Sequence, residues 1–184
     1  MQSRLFAVAT LVLAGCQSAS HPPLAQPDHV DLHRFMGNWY VIAATPTFID
    51  REAHNAVESY RLAADGSIDT TYTFRASGFD GPEKRYTPRG FVTDTRSNAT
   101  WDMQFVWPIK ADYRIMHVAP DYSQTIIGRM KRDYVWIMAR SPQIPDADYQ
   151  RLVNLVLEQG YEGSQLRKIP QQWESAPGQP AKRP

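Results

Sequence analysis

The chain has 184 residues, enough for one domain with a sizeable core and too few for two ordinary ones. Its 20 Lys+Arg against 19 Asp+Glu leave a formal charge of +1, which argues against nucleic acid or a broadly acidic partner. A single Cys excludes an intramolecular disulfide, and 7 Phe, 5 Trp and 9 Tyr suit strands whose aromatics either fill a core or line a cavity.

The chain opens Met1-Gln2-Ser3-Arg4, continues through an apolar run from Leu5 to Ala14, and reaches Gly15-Cys16. A charged start, a short apolar run and small residues make a secretory signal too short to span a bilayer. Leu13-Ala14-Gly15-Cys16 resembles the lipobox of bacterial lipoproteins. That resemblance implies a signal peptide over 1–15, cleavage before Cys16, and a diacylglycerol plus an acyl chain (palmitate) on Cys16. At ~0.8 kcal/mol per buried methylene, two or three such chains anchor a protein stably. Gln17 and Ser18 follow where an Asp would mark inner-membrane retention, which implies the cell outer membrane. Residues 16–30 are polar and Pro-rich, the composition of a flexible tether.

Short alternating runs separated by turn signals come next, the pattern of an antiparallel all-β domain. Val57–Leu62 and Ile68–Phe74 flank Asp65-Gly66, a hairpin signal. Further strands are predicted over Arg89–Thr93, Thr100–Trp107, Tyr113–Val118, Gln124–Met130 and Tyr134–Arg140. Pro145, Asp146 and Asp148 then suit the first turn of a helix, with Tyr149, Leu152, Val153 and Val156 at helical spacing and Gly160 as its stop. A strand-like Gln165–Ile169 follows, and the Pro-containing 171–184 is expected to be disordered.

Asp31-Leu32-His33-Arg34-Phe35-Met36-Gly37-Asn38-Trp39-Tyr40-Val41-Ile42-Ala43, with its Gly37-x-Trp39, resembles the opening of a lipocalin. Ala119-Pro120-Asp121-Tyr122 resembles the second motif of that family, departing only at Ala119, and Asp133 to Pro142 resembles the third. With three motifs in order from Asp31 to Ile169, the chain resembles the bacterial lipocalins related to apolipoprotein D. The resemblance implies an eight-stranded antiparallel up-and-down β-barrel over 31–170, with one C-terminal helix packed outside. It also implies structural roles for Trp39, plugging the narrow end, and Arg140, packed over that indole and bonded to carbonyls of the N-terminal segment.

Strand side chains alternate between faces, so an inward Trp39 and Arg140 carry Val41, Ala43, Met138, Trp136 and Tyr134 inward with them. Registering the other strands by the resemblance adds Glu58, Tyr60 and Leu62, then Ile68, Thr70, Tyr72 and Phe74. It further adds Arg89 and Phe91; Trp101, Met103, Phe105 and Trp107; Tyr113, Ile115 and His117; Ile126 and Gly128. From this set the candidate ligand contacts are Glu58, Tyr72, Arg89, Trp101, Met103, Phe105, Trp107, Tyr113, Ile115, His117, Tyr134, Trp136 and Met138. A barrel of this size either is filled by side chains or encloses one small ligand. The lining suits a long apolar chain with one polar end, a fatty acid or a lysophospholipid. Arg89 and Tyr113 are read either as head-group contacts or, for Arg89, as half of a structural pair with Glu58 beside a hydrogen-bonded His117.

No catalytic set assembles from these residues. The one thiol is committed to lipidation, and His21, His29 and His33 lie in or just after the tether, so no metal or cofactor is expected. The expected function is a lipid-binding protein, not an enzyme, anchored in the outer membrane for storage, transport or maintenance of envelope lipid. An envelope scaffold working through its outer surface and a lipid-modifying enzyme are the alternatives. Oligomeric state, a homodimer included, stays open.

Overall fold

The computed structural model describes residues 22–173, so the expected signal segment, Cys16 and most of the expected tail lie outside the described residues. The strands are β1 (Gly37–Ala44), β2 (Ala53–Leu62), β3 (Ile68–Ala76), β4 (Glu83–Tyr86), β5 (Arg89–Val92), β6 (Thr100–Val106), β7 (Ile109–Val118), β8 (Gln124–Gly128), β9 (Val135–Ala139) and β10 (Arg167–Lys168). Helix α1 (Leu32–Phe35) precedes β1, and α2 (Asp146–Glu158) follows β9. Neighbouring strands pair antiparallel, and β1 closes the ring by pairing with both β2 and β9. β4 and β5 both pair with β3 and are two halves of one barrel strand. They are broken at Thr87-Pro88, where the proline has no N–H to give a ladder. The result is the expected closed eight-stranded barrel. β4, Glu-Lys-Arg-Tyr, is missing from the sequence reading because its residues are polar, mostly exposed and carry no alternation.

Two apolar clusters share the strands. The inner one fills the barrel around Trp39, Val41, Tyr60, Ile68, Phe74, Trp101, Ile115 and Met138. The outer one lies beneath α2, where Leu152 and Val156 are buried against Val135 and Ile137. This is the packing predicted for the helix, whose first turn carries Asp146 and Asp148 after Pro145. Gly160 follows it at φ +86, a conformation that costs a glycine little.

Several expected facings are corrected. A register shift in β1 between Val41 and Ala43 sends Ala43 to the outer cluster and brings Ala44 into the inner one. Another in β7 between Ile115 and His117 puts Met116 in the outer cluster. Ile126 pairs with the outer Ile137, so it faces α2, and Ile127, opposite Trp136, takes the interior. Gly128 also faces outward, since a Cβ there would stand 2.2 Å from Met116 Sδ and 2.3 Å from Tyr161 Oη. In β5 it is Gly90 that faces inward, opposite Ile68 and Met103, so Arg89 and Phe91 point out.

The described part of the expected tether, residues 22–30, is held against the barrel. Leu24 and Val30 are buried, Gln26 Nε2 donates to the Ala99 carbonyl at 2.8 Å, and Arg132 donates to the Pro22 carbonyl. At the other end Gln171 donates to the Val41 carbonyl, and Trp173 packs edge-on against Tyr40 at 5.3 Å, so the expected disorder does not begin at 171.

Candidate functional site

One end of the barrel is sealed. The Arg140 guanidinium carbon lies 3.7 Å from the centre of the fully buried Trp39 ring. Its nitrogens donate to the carbonyls of Asn38 (2.8 Å), Arg34 (2.8 Å), Phe35 (3.1 Å) and Met36 (2.8 Å). Trp39 Nε1 donates to the Phe35 carbonyl at 2.8 Å. One planar cation thus satisfies the carbonyls that end α1, and burial lowers its pKa. Gly37, at φ +94, leaves room for it: a Cβ there would sit 3.4 Å from Arg140 Nη1.

The other end opens into a cavity of about 610 Å³, framed by the β1–β2, β6–β7 and β8–β9 loops. Of the expected contacts, Glu58, Tyr72, Met103, Phe105, Tyr113, Tyr134 and Trp136 line it. Trp101, Ile115 and Met138 are inside the barrel but belong to its packed interior, where Trp101 stacks on Tyr113 at 5.3 Å and donates to the Asn98 carbonyl at 2.7 Å.

Three expected contacts are elsewhere. Arg89 lies on the outer surface, where it donates to Ser67 Oγ at 2.8 Å and pairs with Asp65 at 2.7 Å. The Glu58–Arg89 pair is therefore absent. Trp107 is 82% exposed in the β6–β7 turn, because the ladder breaks its register between Met103 and Val106 before reaching it. His117 follows the β7 register shift and faces the α2 side, where burial and the charge of Arg151 both lower its pKa.

Sequence reasoning missed the β1–β2 loop. Thr47, Phe48, Ile49 and Asp50 all line the mouth. Thr47 N and Oγ1 both donate to Asp50 Oδ1, at 2.7 and 2.6 Å, while Tyr72 Oη donates to Asp50 Oδ2 at 3.0 Å. The Thr-x-x-Asp spacing was the one available signal, a side-chain-capped turn. Tyr86, Thr87 and Pro88 from the strand break, with Arg129 from the β8–β9 loop, complete much of the remaining wall.

The polar centre of the cavity is Glu58. The residue lines the cavity and keeps some accessible surface, while protein surrounds its carboxyl. Burial therefore pushes its pKa up to about 7, helped by the nearby Asp50 charge and opposed by a hydrogen bond from Tyr60. Tyr60 Oη is in turn hydrogen-bonded to Tyr113 Oη. Burial holds both phenols, and Tyr72, well above the ordinary tyrosine range. Among the described residues no group of His, Cys, Asp and Glu is arranged to hold a metal ion, and no helix is long and apolar enough to cross a membrane.

Residues 30–171 match the family model described as a lipocalin-like domain. Temperature-induced lipocalin-1 of Arabidopsis thaliana is 30% identical over 151 residues, covering 77% of this chain and 80% of that protein. The outer membrane lipoprotein Blc of Escherichia coli K12 is 23% identical, covering 87% of this chain and 90% of its own. Among solved structures, insecticyanin from the tobacco hornworm Manduca sexta superposes with a TM-score of 0.63 at 14% identity, covering 81% of this chain and 85% of its own.

Proposed function

The chain belongs to the lipocalin family, and from that premise we propose that its barrel binds, without turnover, one lipid with a long apolar chain, a fatty acid or a lysophospholipid. The observation that carries this reading is the cavity of about 610 Å³, sealed at one end and walled mainly by aromatic and aliphatic side chains. Such a volume is within the roughly 300–1,000 Å³ of sites that hold one small ligand. Phe48, Phe105, Val106, Trp107, Ile109 and Met130 are exposed around its mouth and offer an apolar chain a path in.

Anchoring at the outer membrane through lipidated Cys16 belongs to the same proposal, which makes the protein a store or carrier of envelope lipid. It is supported by the Leu13-to-Cys16 box and by relatives named as outer membrane lipoproteins.

Displacement of a fluorescent fatty acid from the purified protein, with native mass spectrometry of extracted ligand, tests the binding. One equivalent per barrel, with affinity rising with chain length and then levelling, is expected. No binding at any chain length by folded protein overturns the reading.

A further inference from the structure

Glu58 sits deep in the barrel. It pairs across the sheet with Trp39, the residue that plugs the closed end, and with Tyr72 on its other side. Of the charged residues along the cavity, Asp50 and Glu58 are acidic and Arg129 is the one cation, while the Asp112 carboxylate is taken up by Arg114 and by the Met130 N–H. Arg129 belongs to the β8–β9 loop at the mouth, 3.4 Å from Asp133 Oδ2 and over the Tyr134 ring. An acid head group therefore finds its cation at the rim and, further in, the Glu58 carboxyl among phenols.

Whatever reaches the inner end meets a carboxyl already served on one side by the Tyr113–Tyr60 hydroxyl pair. Ionised, that carboxyl only accepts hydrogen bonds and has about four lone-pair sites to fill; protonated, as its raised pKa allows near neutrality, it also donates one. A plain methyl end pressed against it removes its water and returns no bond. A carboxylate end sets two acids against each other out of water. A hydroxyl replaces the lost water and needs no partner charge.

We infer that the ligand carries a hydrogen-bond donor at its inner end, a hydroxyl group, which Glu58 accepts while the acidic head group stays at the mouth beside Arg129. This rests on the reading that the barrel holds a long-chain lipid, and it adds which one: an acyl chain hydroxylated at the end remote from its head.

Palmitate and ω-hydroxypalmitate have the same chain length and the same carboxylate and differ only at that inner end. Each is titrated into the full chain by displacement of a fluorescent fatty acid, at a pH well above 7 where the Glu58 carboxyl is ionised. The ω-hydroxy acid is expected to bind about tenfold more tightly, the scale of one hydrogen bond to a charged group after its desolvation. Glu58→Met should erase the preference and tighten palmitate. If Glu58→Met does not fold, Glu58→Gln serves, and the preference should fall at least roughly threefold with the charge gone. Equal affinities in the unsubstituted protein overturn this inference and leave the lipid-binding reading standing. Binding of neither acid by folded protein overturns the lipid-binding reading itself. A preference unchanged in the Glu58 variants overturns the assignment to Glu58.

Discussion

Replacing Glu58 with Gln removes a carboxyl whose pKa is pushed from 4.5 up to about 7 in the folded barrel. Between those two values the folded chain binds more protons than the unfolded one, so its stability falls as pH rises. The contribution of Glu58 is thus fully present below about 4.5, declines through the window up to about 7, and stays lost above it. At ~1.4 kcal/mol per decade the gap corresponds to roughly 3 kcal/mol. Water in the cavity screens part of this, leaving about 1–3 kcal/mol for measurement. Gln has the same shape and does not titrate, so the difference between the two proteins isolates the ionisation of Glu58.

The assay is urea unfolding of the ligand-free protein and of Glu58→Gln across pH, taking the difference at each point. The variant should gain on the parent by that amount as pH rises from below 4.5 to above 7. Titrating groups that do not contact Glu58 occur in both proteins and largely cancel. A difference that stays flat across the window refutes the argument, since Glu58 would then be as well solvated in the barrel as in the open chain.

Leu152→Ala should cost ~2–5 kcal/mol, because the side chain is fully buried between α2 and the outer face of β9; a loss of a few tenths in urea unfolding would show that face open to water. Arg140→Ala strips five backbone carbonyls and the Trp39 ring of their cation and should lower stability by on the order of 3 kcal/mol. The folded fraction should keep its lipid affinity; abolished binding at an unchanged Tm would reverse that assignment. Arg89→Ala removes a pair in which Arg89 is 47% exposed, so calorimetry and ligand titration should show less than ~1 kcal/mol and no change in the ratio of acid to alcohol affinity. Cys16→Ala should move the protein out of the membrane fraction on cell fractionation, and continued processing and membrane association of the variant would defeat the anchor.

Much of the fold was legible because its signals are local. Pro145, the two aspartates, the spacing of Leu152 and Val156, and Gly160 each act within a helical turn or two, and α2 runs where they place it. Asp65-Gly66 forms its hairpin through bonds among adjacent residues, with Ser67 N and Oγ donating to the Asp65 carboxylate. The three motifs place Trp39 and Arg140 at opposite ends of the barrel sequence, and they meet with the indole under the guanidinium. The apolar character of the cavity wall was readable too, since seven of the expected contacts line it.

The facing of individual strands was a different matter. Side chains alternate with a period of two, so an offset of one residue turns a whole strand inside out. Nothing within Arg89-Gly90-Phe91-Val92 says which pair faces in; Ile68 and Met103 on the flanking strands decide it by packing against Gly90. The bulges at Ile42 and Met116 obey the same rule, set by neighbours distant in the chain. Asp50 reads as an ordinary turn residue until the closed barrel brings Tyr72 to its second oxygen. By itself the sequence determined the barrel, its outer helix, its sealing pair and an apolar interior, all of which follow from short-range patterns and motif residues. Only the tertiary structure decided that Arg89 stays outside and Glu58 is left among tyrosines and acids, because cross-strand register, burial and charge pairing exist only once the ring has closed.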